Sequence, residues 1–167
     1  MLKKATLLLA LVLITANISK AQWKYEGAWP NSNYKGGTHG IEVTPDGKIW
    51  TASYYKSTWV TPKKDTLKNV SPIFVFYPDG SKVDTIFTVT TDTVIDTLGK
   101  GGSTSGTRGI AKDESGNIIF VSSSPSKMIK IDYKTYKGIA RHLFGSTEIG
   151  SSPTAPSVTS NGIIFVG

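Results

Sequence analysis

The sequence predicts an all-β protein built from repeated four-stranded antiparallel units. Three observations carry that reading. Apolar runs of four to seven residues are cut by turn signals before any helical periodicity can develop, as in Ile73-Phe74-Val75-Phe76-Tyr77 before Pro78-Asp79-Gly80. The stretch "THGIEVTPDGKIWTASYY" from Thr38 is nearly copied as "TRGIAKDESGNIIFVSSS" from Thr107. The chain then starts the same pattern again at Pro153, "PTAPSVTSNGIIFV".

The first segment is read apart from the fold. Lys3 and Lys4 give a positive start, residues 5–18 are almost wholly apolar, and Ser19-Lys20-Ala21 puts small residues at the −3 and −1 positions of a cleavage site. This is the pattern of a secretory signal peptide over residues 1–21, cleaved after Ala21. The fourteen-residue apolar run is shorter than the roughly 20 residues that a spanning helix needs. No span is expected beyond it. With no cysteine in the chain, neither a disulfide framework nor a lipidated cysteine is available. The expected address is extracytoplasmic, secreted or periplasmic, in a bacterium.

Cleavage removes Lys3, Lys4 and Lys20 and lowers the net charge from +7 to +4. The remaining lysines stand singly apart from Lys63-Lys64, and Arg108 and Arg141 are the arginines. A nucleic-acid surface calls for a clustered basic face, so nucleic acid is not an expected partner.

In the mature chain, residues 22–167, the elements follow in order. Ile41 and Val43 alternate with Glu42 and Thr44, Pro45-Asp46-Gly47 turns the chain, and Ile49-Trp50-Thr51-Ala52 returns. Pro before Asp-Gly suits a type I turn with the glycine at positive φ. Residues 54–71 read as additional loop. Residues 73–77 and 83–89 form the second hairpin around Pro78-Asp79-Gly80, and a further loop covers residues 90–107, in which 91–97 is a strand or polar loop. The second unit repeats the first at an offset of 69, Gly40-Ile41 against Gly109-Ile110 and Gly47 against Gly116, with its second hairpin over residues 128–143. The third aligns with the second at an offset of 45, Pro153 against Arg108.

Two hairpins per unit and a period of about 40–45 residues mark a β-propeller blade. The expectation is a partial β-propeller: about two four-stranded antiparallel blades plus the start of a third. Blade one covers about 38–90, blade two about 107–145, and the start of blade three about 153–167. Because four to eight blades close a ring, further blades are expected after Gly167.

"HGIEVTPDGKIW" resembles the blade opening of the NHL and streptogramin-lyase-like propellers, six-bladed in type, in which His-Gly, an apolar alternation, Pro-Asp-Gly and an aromatic recur. The resemblance implies a site at the channel mouth, where a His near the ligand face does chemistry, sometimes with a metal. His39 falls at that His; Arg108 stands there in the second unit and Pro153 in the third.

In a four-stranded meander the turns after the first and third strands share one face, and the remaining links share the other. Asp46 and Asp79 are turn formers on the first face. His39 and Arg108 open the innermost strands on the second, where Tyr54, Tyr55 and Trp59 also lie. Aromatics there suit stacking against a carbohydrate or peptide, and function concentrates on loops held by a rigid scaffold. The candidate binding residues are therefore His39, Arg108, Tyr54, Tyr55 and Trp59. Gly101-Gly102-Ser103-Thr104-Ser105-Gly106 lacks the Lys-Ser/Thr ending of a phosphate loop and reads as a connector. No Ser-His-Asp set, paired carboxylate or HExxH motif occurs, and His39 and His142 are the two histidines, so no catalytic residue, metal site or cofactor is expected. The expected function is a binding module for a protein, peptide or glycan. The alternative is a propeller enzyme, a lyase or lactonase.

Overall fold

The computed structural model describes Trp29 and residues 37–100, 106–123, 125–145, 147–149 and 153–167. The expected signal peptide, residues 1–21, and residues 101–105 of the glycine-rich connector lie outside these described residues.

The described residues are all-β: fourteen strands and no helix. The first blade is the meander β1 (Thr38–Val43), β2 (Ile49–Ser53), β5 (Ile73–Phe76) and β6 (Lys82–Ile86), antiparallel in that order. The second is β9 (Thr107–Lys112), β10 (Ile118–Ser123), β11 (Ser126–Ile131) and β12 (Gly138–Leu143). A hairpin, β13 (Ser157–Val158) with β14 (Ile164–Phe165), opens a third unit. The first strands stand side by side, β1 against β9 and β9 against β13. This is the arrangement of two propeller blades and the beginning of another.

The turns explain the repetition. In Thr44–Lys48 the Thr44 N–H donates to Lys48 O and the Gly47 N–H to Thr44 O, both at 2.9 Å, with Gly47 at φ 78°. Asp113–Asn117 makes the same pair of bonds with Gly116 at φ 88°, and Tyr77–Ser81 with Gly80 at φ 84°. A side chain at φ > 0 crowds its own backbone, so glycine is the residue that the plan needs there. Thr159–Ile163 repeats it with Gly162 at φ 84°.

This last turn shifts the third copy. The bonds put Thr159 where Asp113 stands and Gly162 where Gly116 stands, and Val158↔Ile164 pairs as Lys112↔Ile118 does. The offset is therefore 46, not 45, and Thr154 rather than Pro153 takes the place of Arg108. The letters "IIFV" match well one residue out of step, but only one alignment puts glycine at positive φ.

Two stretches expected as loops are hairpins. Within 54–71, β3 (Ser57–Val60) pairs with β4 (Thr66–Val70). Within 90–107, β7 (Thr88–Thr91) pairs with β8 (Val94–Thr97), so the strand expected over 83–89 breaks at Phe87, whose carbonyl accepts the Leu98 N–H. β7 then joins the outer edge of blade two in parallel with β12, making a six-stranded sheet.

The core lies between the blades. Trp50, Ala52, Ile73 and Val75 of blade one meet Ile110, Ile118, Phe120, Ile129 and Ile131 of blade two. The strands approach closely at one point, where a Cβ on Gly40 would come within 2.5 Å of the Ile110 nitrogen. One unit on, a Cβ on Gly109 would lie 2.9 Å from Ala155 Cα. The same glycine thus lets each blade approach the next.

Candidate functional site

The ladder separates the two ends of the sheets. His39 pairs with Ala52 and Thr38 with Ser53, whereas Val43 and Ile49 flank the Pro45-Asp46-Gly47 turn at the other end. Both Pro-Asp-Gly turns adjoin the Ile49↔Phe76 pair and so share that end. With β1 beside β9, His39 and Arg108 both lie at the end away from the turns.

Tyr54 is fixed there from two directions. Its N–H donates to Gly37 O at 2.8 Å, and its carbonyl accepts the Gly106 N–H at 2.7 Å. Gly106 O in turn accepts the Ser123 N–H at 3.1 Å and the Ser123 hydroxyl at 2.8 Å. One chain of bonds thus joins blade one to blade two at this end. Gly106 passes so close to Ser71 that a Cβ would fall 1.7 Å from its Oγ.

Held in this way, the Tyr54 ring stacks on His39 with centroids 4.4 Å apart and planes at 19°, and Tyr55 meets Tyr54 edge-on at 4.9 Å. Tyr55 also covers Gly37, where a Cβ would lie 3.1 Å from its ring. Neighbouring Lys56 has its amine pulled down by burial. Arg108 is half-buried, and its Nε has no hydrogen-bond acceptor among the described residues. A guanidinium N–H held out of water without a partner is costly.

The structure therefore brings His39, Tyr54 and Tyr55 together and places Arg108 at the same end of the adjacent blade. Trp59 packs elsewhere: on β3, its ring meets Phe74 at 5.6 Å and Phe87 at 6.0 Å. Asp46 and Asp79 serve their turns, Asp46 binding Lys48 Nζ at 2.8 Å and Asp79 accepting the Ser81 N–H at 2.8 Å. Among the described residues no three His, Cys, Asp or Glu side chains converge as metal ligands, and no helix is long and apolar enough to cross a membrane.

Sequence reasoning missed a charged cluster on blade two. Asp96 of β8, 6% exposed, accepts Lys127 Nζ at 2.7 Å and Arg141 Nε at 2.9 Å. Desolvation pushes its carboxyl up, but the hydrogen bonds and charges of Lys127 and Arg141 outweigh this and hold it below the usual carboxylate range. The cluster ties the β7–β8 hairpin to β11 and β12. Nothing in the local sequence around Asp96 signals partners 31 and 45 residues away.

Compared with protein-family models and with curated proteins, the chain matches none.

Proposed function

We propose that this protein is a secreted or periplasmic β-propeller of the NHL-like kind that binds a protein, peptide or glycan at the end of its blades away from the Pro-Asp-Gly turns. The observation that carries the reading is the pinned His39–Tyr54 stack, with the acceptor-less Arg108 at the same end of the next blade. Aromatic rings locked by backbone bonds offer contact area at little entropic cost, and Arg108 supplies a donor for an anionic or carbonyl group. The basic start, apolar run and Ser19-Lys20-Ala21 site support export. No observation favours a lyase or lactonase over binding.

The test is a screen of the purified full chain on peptide and glycan arrays, followed by titration of any hit. Tyr54→Ala and Arg108→Ala should each weaken binding at least about tenfold while leaving the thermal transition in place. If every hit proved indifferent to both substitutions, this site would be refuted. Export is checked separately: the mature product should begin at Gln22.

A further inference from the structure

Two cavities lie side by side at the rim of blade one, against the β3–β4 hairpin. Both are open to solvent, one with a volume of about 460 Å³ and the other of about 520 Å³. They share Thr61, Pro62, Asp84, Thr85 and Phe87 in their linings, so they form one cleft between the hairpin turn and β6. Each volume falls within the range of small-ligand sites, roughly 300–1,000 Å³.

The turn that builds the cleft is a disguised copy of the repeat's own turn. The Thr61 N–H donates to Asp65 O and the Lys64 N–H to Thr61 O, with Lys64 at φ 67° where the turns at Gly47, Gly80, Gly116 and Gly162 have glycine. A lysine held in the left-handed region is strained by about 1 kcal/mol or more. The hairpin keeps that conformation, and it sets Pro62 and Asp65 against β6.

The lining has a definite chemistry. Phe87 lines both cavities, Trp59 adds aromatic surface to one, and Tyr136 of blade two lines the other. Trp59 is locked against Phe74 and Phe87, and its Nε1–H is buried with no acceptor among the described residues. Around these rings stand the hydroxyls of Thr61 and Thr85 and the carboxylates of Asp65 and Asp84, with Lys63 and Lys82 matching the two negative charges. A lipid chain would leave the carboxylates desolvated and unpaired, which is costly. A strongly ionic ligand finds no net charge to recognise. A pyranose ring satisfies both parts: its C–H face lies on an aromatic ring, and its hydroxyls donate to the carboxylates.

We infer that the Trp59–Asp84 cleft is a second binding site that takes an uncharged saccharide. It goes beyond the mouth reading, since it shares none of His39, Tyr54, Tyr55 or Arg108, and either site can fail without the other.

The experiment uses the full chain and four neutral trisaccharides, of glucose, N-acetylglucosamine, galactose and mannose, followed by tryptophan fluorescence and saturation-transfer NMR. At least one trisaccharide should bind with Kd of about 1 mM or tighter. Asp84→Asn and Trp59→Phe, both conservative enough to keep the fold, should each weaken it at least about tenfold, while Tyr54→Ala and Arg108→Ala leave it unchanged. Absence of binding to all four trisaccharides would overturn the proposal. So would binding that survives Asp84→Asn and Trp59→Phe, or that Arg108→Ala abolishes.

Discussion

Ile41 and Ile110 occupy the same position in two copies of one hairpin, yet Ile41 is 60% exposed and Ile110 is 6% exposed. Blade one and blade two differ in what lies beside them, not in their own pattern. Blade two receives blade one on one face, the third hairpin against β9, and β7–β8 on its outer edge. Every residue of β10 is buried as a result, whereas β1 is exposed along most of its length. The same contrast holds at the turns, where a Cβ on Gly116 would strike Pro45 Cδ at 2.4 Å and one on Gly47 would meet nothing within 4 Å. A repeat unit thus acquires its stability from its neighbours.

Five measurements would break or sharpen that comparison. The largest effect is expected at the clamp of blade two. Asp96→Ala strands Lys127, which is 4% exposed, as a buried charge, and should cost about 3–5 kcal/mol in urea unfolding. The pH dependence follows the same group. Because the folded carboxyl lies below its unfolded value of about 4, its contribution is complete above that value and is lost as pH falls through the lower folded one. The wild type should therefore lose stability below about pH 4 more steeply than Asp96→Asn does. Parallel acid limbs would show that the cluster is not the titrating group.

Next comes the isoleucine pair. Ile110→Ala should cost about 2–5 kcal/mol, and Ile41→Ala within about 0.5 kcal/mol. Equal costs would mean that both blades are covered alike in solution. Smaller is the glycine pair. Gly47→Ala and Gly116→Ala impose the same strain at positive φ, but the second adds the collision with Pro45, so it should be worse by about 1–3 kcal/mol. Smallest is the exposed Lys48–Asp46 pair. Its 2.8 Å separation is close to the 2.7 Å of Lys127–Asp96, yet Lys48→Ala should cost less than about 1 kcal/mol, because water screens it.

The blades were legible in the sequence because their strands alternate and three of their four hairpin turns carry glycine; the β11–β12 turn, with Tyr136 at φ 61°, carries neither glycine nor proline. The β3–β4 hairpin was not legible, because Lys64 holds the positive-φ place without the usual glycine. Thr61-Pro62, spaced like Thr44-Pro45, was the signal available. Of β7–β8, a strand over 91–97 was one of two readings, but the pairing was hidden by threonine and aspartate, with Asp92 at φ 53° in its turn. Of the candidate site, the common end of His39, Arg108 and Tyr54 followed from strand counting. The His39–Tyr54 stack did not, since it depends on Gly37 and Gly106 approaching from distant segments. Trp59 looked like a neighbour of Tyr54 along the chain, but β3, which holds it, carries it to Phe74 and Phe87.

The parallel bridge between Thr91 and Gly138 also sets an order of events. β7 and β8 precede the whole of blade two in the chain, but the edge they join is β12, the last strand of that blade. During synthesis from the N-terminus the hairpin emerges well before its partner exists, and a two-stranded hairpin alone is marginal in water. Its docking must wait for β9 to β12 to assemble, and Asp96 finds Arg141 only then. Amide protection in residues 88–97 should accordingly appear after that of β10 and β11 in a refolding pulse-labelling experiment, because contacts across such long loops close late. A rim that arrives last is also the first to leave, so local opening of the native protein should begin at β8.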